Sequence, residues 1–215
     1  MKDWIVQGNW QHVDTDKFWS EISHPDHLVQ IYDSDNEFLD NLVVFATAGF
    51  KARESVVVIA TGDHIRQLDA RLKNTGHDVF GLRLRDQYVT LDATEALHEF
   101  LINGSPDAIL FRLLASNLIK RAKRAGRQVR AFGEMVAILW AQGNTGGTLC
   151  LEQLWSEYME DESFTLFCAY PASGFEGKNA SLGIGDVCKS HSHHVAPSPE
   201  TGMIQFRRTV TSNGV

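Results

Sequence analysis

The chain is short of several things, and each shortage excludes something. Only three of its 215 residues are cysteines, Cys150, Cys168 and Cys188, and no two of them form a CxxC pair. So odd and sparse a set excludes a disulfide framework and points to a reducing compartment, so a cytoplasmic protein is expected. Apolar runs are brief: Leu42–Ala46 and Val56–Ala60 span five residues each, against the roughly 20 that a membrane span takes. Met1-Lys2-Asp3-Trp4 lacks the apolar stretch of a signal peptide. There is no basic excess either. Twenty Lys and Arg face 27 Asp and Glu, for a net charge of −7, which argues against direct nucleic-acid binding. The sequence also contains no G-x-x-x-x-G-K-[ST], no G-x-G-x-x-G and no G-x-S-x-G.

What remains is an ordinary globular composition, 43% hydrophobic and 22% charged. A chain of this length buries roughly 70% of its unfolded surface, enough for a core without disulfides. Residues 1–26 show no clean period and read as an N-terminal extension. Trp4, Trp10, Phe18 and Trp19 lie in it, to be packed on the domain itself or on a second copy. A strand follows at His27–Tyr32. Ser34 and Glu37 then have capping-box spacing, and Phe38, Leu42, Phe45 and Ala46 recur at helical intervals to about Gly49. The β-branched run Val56–Ala60 suits a buried parallel strand. Thr61 caps a helix bearing Ile65, Leu68 and Leu72, which Gly76 closes.

The same alternation continues. Tyr88–Leu91, Val129–Phe132 and Phe164–Ala169 read as strands. Helices follow Asp92, Pro106, Glu134 and the glycine-rich stretch 143–147, with Pro106 opening its own helix at the first turn. Met203–Val210 alternates moderately, so residues 198–215 read as a tail or edge strand. Strands alternating with helices predict an α/β fold, three-layered, with a mostly parallel sheet flanked by helices.

In such a sheet a phosphate would bind after the first strand, cradled by glycine N–H groups and a lysine. The loop here is Asp33-Ser34-Asp35-Asn36, which has no glycine, no lysine and two carboxylates. It would repel a triphosphate, so ATP hydrolysis is not expected. Ligands of open α/β sheets bind outside the carboxyl ends of the strands. Glu134 stands there after Phe132-Gly133, where it either serves a ligand or caps the next helix. Asp63 and His64 follow the second strand, Asp92 the third and Tyr170 the fifth. The stretch Cys188-Lys189-Ser190-His191-Ser192-His193-His194 gathers one thiol and three imidazoles. Cys188, His191 and His193 are its metal candidates, zinc or another transition metal being the ion, with His24, His27, His64 and Glu134 as distant partners. The alternative is a plain surface loop. Lys120, Arg121, Lys123, Arg124, Arg127 and Arg130 form a basic cluster near a helix end, where cations offset the dipole; the rival reading is an acidic partner or nucleic acid.

Several of these segments together resemble the MEDS domain, the methanogen/methylotroph sensory domain named after the dichloromethane-responsive repressor. They are His27-x4-Tyr32-Asp33-Ser34-Asp35, Val56–Thr61 with Asp63-His64, Phe132-Gly133-Glu134-Met135-Val136, Leu151-Glu152-x2-Trp155, Phe167-Cys168-Ala169-Tyr170-Pro171 and Cys188-x2-His191-Ser192. The resemblance covers residues 24–197 and places the sensory domain at 27–197. It implies a RecA/KaiC-like fold without a functional phosphate-binding loop, and a non-enzymatic role in sensing small molecules. Such domains occur fused to histidine kinases or DNA-binding modules. Residues outside 24–197 leave no room for either, so the expectation is a stand-alone sensor acting through a signalling partner, such as a histidine kinase or transcription regulator, or through a homo-oligomer. His27, Tyr32, His64, Glu134, Tyr170 and His191 are the matching polar positions for a ligand. The alternatives are a metal-binding protein or metalloenzyme built on Cys188, His191 and His193, and a protein-interaction scaffold.

Overall fold

The four central strands of the sheet bury both of their faces, and the two faces meet different helices. The computed structural model describes residues 9–22, 24–175, 185, 187–198 and 202–209; Trp4 lies outside them. The strands are β1 (Gln11–Asp14), β2 (His27–Tyr32), β3 (Ser55–Ala60), β4 (Tyr88–Asp92), β5 (Leu101–Ile102), β6 (Ser105–Pro106), β7 (Val129–Gly133), β8 (Thr165–Pro171), β9 (His193–Pro197) and β10 (Met203–Arg208). The α-helices are α1 (Thr15–Glu21), α2 (Asp35–Lys51), α3 (Gly62–Asn74), α4 (Val79–Leu84), α5 (Ala93–Phe100), α6 (Ala108–Ala122), α7 (Met135–Ala141) and α8 (Thr145–Glu162).

Eight strands form one sheet in the order β1-β10-β9-β2-β8-β7-β3-β4. From β9 to β4 all neighbours are parallel, whereas β10 and β1 run antiparallel to their neighbours. The protein is therefore α/β, with a mostly parallel sheet between two helical layers. The period of two along each strand sorts the core. Val29, Ile31, Val57, Ile59, Ala131 and Leu166 face α5 to α8. Their alternates Leu28, Val56, Val58, Phe132 and Phe167 face α1 to α4.

The caps explain the register. Ser34 Oγ accepts the Glu37 N–H, Thr61 Oγ1 the His64 N–H, and Asp92 the N–H groups of Thr94 and Glu95. Each strand therefore passes into its helix within a few residues, at the carboxyl edge of the sheet.

Several expectations change. Pro106 opens no helix. It pairs with Leu101 in a small hairpin, turned at Asn103 and Gly104, both with positive φ. Asp107 caps α6 instead, through the N–H groups of Ile109 and Leu110. The glycine stretch does not delay α8: Asn144 accepts the Gly147 N–H, and the helix starts at Thr145. Within residues 1–26, β1 joins the sheet and α1 buries Phe18 and Trp19 on their own domain. Their signal is hidden because only one face of a seven-residue helix is buried. The β10 strand is not an edge, since β1 lies outside it. Five of the six residues of the basic cluster pair within the chain. Arg121 and Arg124 pair with Asp86, Lys123 with Glu162, and Arg127 donates to Ser55 Oγ. Arg130 is buried against Glu54 and the Trp19 carbonyl.

Candidate functional site

Two groups of polar side chains stand out, one at the carboxyl edge of the sheet and one beneath α8. The first is built on Glu134, directly after β7. Its backbone N–H donates to the Ile59 carbonyl, which fixes the residue beside the end of β3. Its Oε2 accepts the Thr61 N–H at 2.8 Å, and its Oε1 lies 2.8 Å from His64 Nδ1. Glu134 thus ties β7 to the start of α3. No side-chain cap bond from Glu134 enters α7, which it precedes, so the carboxylate is not spent on that helix.

With Nδ1 held by Glu134, the other nitrogen of His64 points toward Asp35 Oδ2, 3.8 Å away. That gap exceeds a hydrogen bond. The imidazole lies edge-on to Phe38, and Asp35 is exposed. The hydrogen bond to Glu134 raises the His64 pKa, with burial acting the other way. Tyr32 ends β2 in the same neighbourhood. Burial, then the charges of Glu134 and Asp35, raise its hydroxyl pKa. Three of the polar positions suggested by sequence, Glu134, His64 and Tyr32, therefore gather at this edge. Asp63 turns away to Arg66 and Gln67.

The second group comprises His27, Glu152, Cys168 and His191. One ligand atom from each lies within 4.8 Å of those of all the others, and all four residues are buried. His27 begins β2, and its register against β8 places it across from Leu166, diagonal to Cys168. Glu152 comes from α8, on the face that also buries Leu151, Trp155 and Met159. His191 lies just before β9. His27 Nε2 is 3.5 Å from Cys168 Sγ and 3.5 Å from Glu152 Oε2, and His191 Nε2 is 3.6 Å from that same oxygen. Tyr170 donates its hydroxyl to Glu152 Oε1. His191 Nδ1 meets the Val187 carbonyl at 2.7 Å.

Desolvation governs the protonation of this group. Burial raises the Glu152 pKa to about 7 against the pull of the Tyr170 hydroxyl. It lowers His191 to about 4, opposed by the Val187 carbonyl. It lowers His27 well below its usual value, with His191 adding to the effect. The Cys168 thiol is pushed well up, by burial and then by Glu152. The group rests as uncharged as its chemistry permits.

The residues grouped by sequence spacing part company here. Of Cys188, His191 and His193, only His191 belongs to the cluster. His193 sits in β9 with Nδ1 near Ser192 and Asp26. Cys188 is half-buried, and its carbonyl faces His194 Nε2 at 3.0 Å. The reason is the path of the chain: His193 is fixed in β9 beside Asp26, whereas His191 precedes that strand and is buried. His24, also weighed as a partner, instead contacts Glu54 and Thr165. Glu152 and Cys168 are the members that spacing alone does not reveal. A signal does exist for Glu152, a carboxylate set among Leu151, Trp155 and Met159 on the buried face of a helix.

A comparison with curated proteins finds no match. Among solved structures, a protein of Pyrococcus horikoshii OT3 known from a structural study is similar with a TM-score of 0.56 and 10% identity, over 93% of this chain and 94% of that one. That likeness speaks for the fold alone. The family model described as the methanogen/methylotroph, DcmR sensory domain matches residues 26–192. That span takes in both polar groups, and the chain belongs to the MEDS family of sensory domains.

Proposed function

We propose that this protein senses a small polar molecule at the carboxyl edge of its parallel sheet and passes the change to a signalling partner. The supporting observation is the posture of His64. Glu134 holds one ring nitrogen, and the other faces Asp35 across 3.8 Å. A hydroxyl or amine placed in that gap would meet an imidazole and a carboxylate together. Binding would shift the domain only as far as the molecule prefers one of its conformations over the other. In this reading the chain is not an enzyme. The acidic loop Asp33-Ser34-Asp35-Asn36 supports a degenerate relative of KaiC and RecA ATPases that hydrolyses no ATP. The partner would be a histidine kinase or a transcription regulator.

Native mass spectrometry of gently purified protein, compared with the denatured mass, tests the reading. A retained organic adduct that disappears in Glu134→Ala, with the melting temperature little changed, supports it. An adduct that persists while the melting temperature collapses makes Glu134 a structural strut and sinks this site. One observation favours a second reading, an interaction scaffold: α6 exposes Ile109, Leu110 and Leu113 along one face. A bare subunit mass together with self-association would favour that scaffold.

A further inference from the structure

The geometry points to a tetrahedral transition-metal site, of the kind zinc occupies, formed by His27 Nε2, Glu152 Oε2, Cys168 Sγ and His191 Nε2. Tetrahedral zinc bonds of about 2.0–2.3 Å to N, O and S place neighbouring ligand atoms roughly 3.3–3.6 Å apart. Three of the edges measured here are 3.5, 3.5 and 3.6 Å. The two N···O edges are too long for good hydrogen bonds, the N···S edge is also the length of an S–H···N hydrogen bond, and all three match the edge of such a tetrahedron.

A second observation concerns what the atoms lack. Glu152 Oε2 and His191 Nε2 are buried, face one another, and have no hydrogen-bond partner. The Val187 carbonyl accepts from His191 Nδ1–H, which leaves Nε2 as a bare lone pair. Tyr170 occupies Glu152 Oε1, which leaves Oε2 turned inward. Once Glu152 is ionised, two acceptors aimed at one another across 3.6 Å are a costly arrangement in a dry interior. A cation between them removes the cost. The outer partners of His191 and Glu152 are of the kind that orient metal-bound histidines and carboxylates, whereas His27 Nδ1 has none among the described residues.

Charge agrees with this assignment. One thiolate and one carboxylate neutralise a divalent ion, and the two imidazoles add no charge, so the loaded site is neutral in its buried setting. Loading breaks the Cys168 S–H bond, and the Glu152 O–H bond where that acid is protonated, and releases those protons to solvent as the sulfur–metal and oxygen–metal bonds form. His27 and His191 also border a surface pocket of about 250 Å³ together with Pro25, Met159 and Lys189. The four ligands come from β2, α8, β8 and the segment before β9, so an ion would fasten the β9 side of the sheet to its parallel core. This site lies in the α5–α8 layer, and although Cys168 pairs with Gly133, the neighbour of Glu134, it shares no side chain with the His64–Glu134 pair, so its test is independent of theirs.

The test is a Co²⁺ titration of the full chain, purified in chelator and then freed of it. We expect one equivalent per chain, with the visible bands of tetrahedral cobalt and a near-ultraviolet thiolate-to-cobalt band, both lost on adding Zn²⁺. Cys168→Ser, confirmed folded by circular dichroism, should lose the thiolate band and bind cobalt at least about tenfold more weakly. Cys188→Ser should keep both. A folded wild-type chain that shows no tetrahedral cobalt spectrum would overturn the assignment. So would a thiolate band that survives Cys168→Ser and vanishes in Cys188→Ser.

Discussion

His64 Nδ1 and Glu134 Oε1 lie 2.8 Å apart, and this pair joins the end of β7 to the first turn of α3. The bond raises the His64 pKa. The folded state therefore holds the imidazole proton more tightly than the unfolded chain does. Its stabilisation is fully present below the unfolded histidine value and is lost as pH rises through the raised one. Glu134→Gln keeps an acceptor for the Thr61 N–H but weakens the bond to imidazolium. We expect it to cost on the order of 1–2 kcal/mol at pH about 6 and clearly less at pH about 9. Urea unfolding of both proteins across that range measures the gap. A gap that is flat, or that widens with pH, would count against the pair.

Glu152 gives the opposite kind of prediction. Its pKa is raised to about 7 by burial, so the folded state binds its proton more tightly than the unfolded chain. Stability contributed by the protonated acid is present below the unfolded value of about 4.5 and fades as pH rises through about 7. Gln at this position keeps the oxygen that Tyr170 contacts and turns an N–H₂ toward the histidine lone pairs. In chelator, Glu152→Gln is expected to be the more stable protein at pH 8, by up to about 3 kcal/mol. The advantage should shrink toward pH 5. Adding Zn²⁺ should reverse the order, because the amide cannot replace the carboxylate. Thermal melts at the two pH values, with and without zinc, decide the point.

Much of this was open to a reader of the sequence, and the limits have physical causes. The strand at Val56–Ala60 is buried on both faces, so it reads as a continuous apolar run, and His27–Tyr32 and Tyr88–Leu91 read as short runs of aliphatic and aromatic residues with polar breaks. Ser34, Thr61 and Asp92 announce the helices they cap. Glu134 and His64 were legible because the carboxyl edge of a parallel sheet follows from strand direction alone. The His27, Glu152, Cys168 and His191 group was not, because its members span 165 positions and meet only through the β2–β8 register. The short β9 likewise hides behind its histidines, whose polarity masks a buried strand.

Trp19 bears on how far the N-terminal segment belongs to the domain. Its side chain is fully buried against Phe45 and Phe167. Trp19→Ala should cost about 3–5 kcal/mol, as large-to-small changes in a packed core do. Equilibrium unfolding in guanidinium would show it. A loss under about 1 kcal/mol would mean that α1 is only loosely attached.

The buried Arg130 makes the last prediction, because its neighbours divide a stabilising pair from a merely tolerated one. Its guanidinium reaches Glu54 and the Trp19 carbonyl and lies over the Phe45 ring. The pair lowers the Glu54 pKa despite burial, through its hydrogen bonds to His24 and Arg130. Glu54→Ala leaves a cation in the interior with only a carbonyl and a ring to face. Breaking one side of such a pair costs about 3–5 kcal/mol, whereas replacing both partners with apolar residues is often near neutral. We therefore expect Glu54→Ala to be far more damaging than the Glu54→Leu/Arg130→Met double variant. If the two lose stability equally, the pair is not what holds this corner, and packing around Trp19 and Phe45 is.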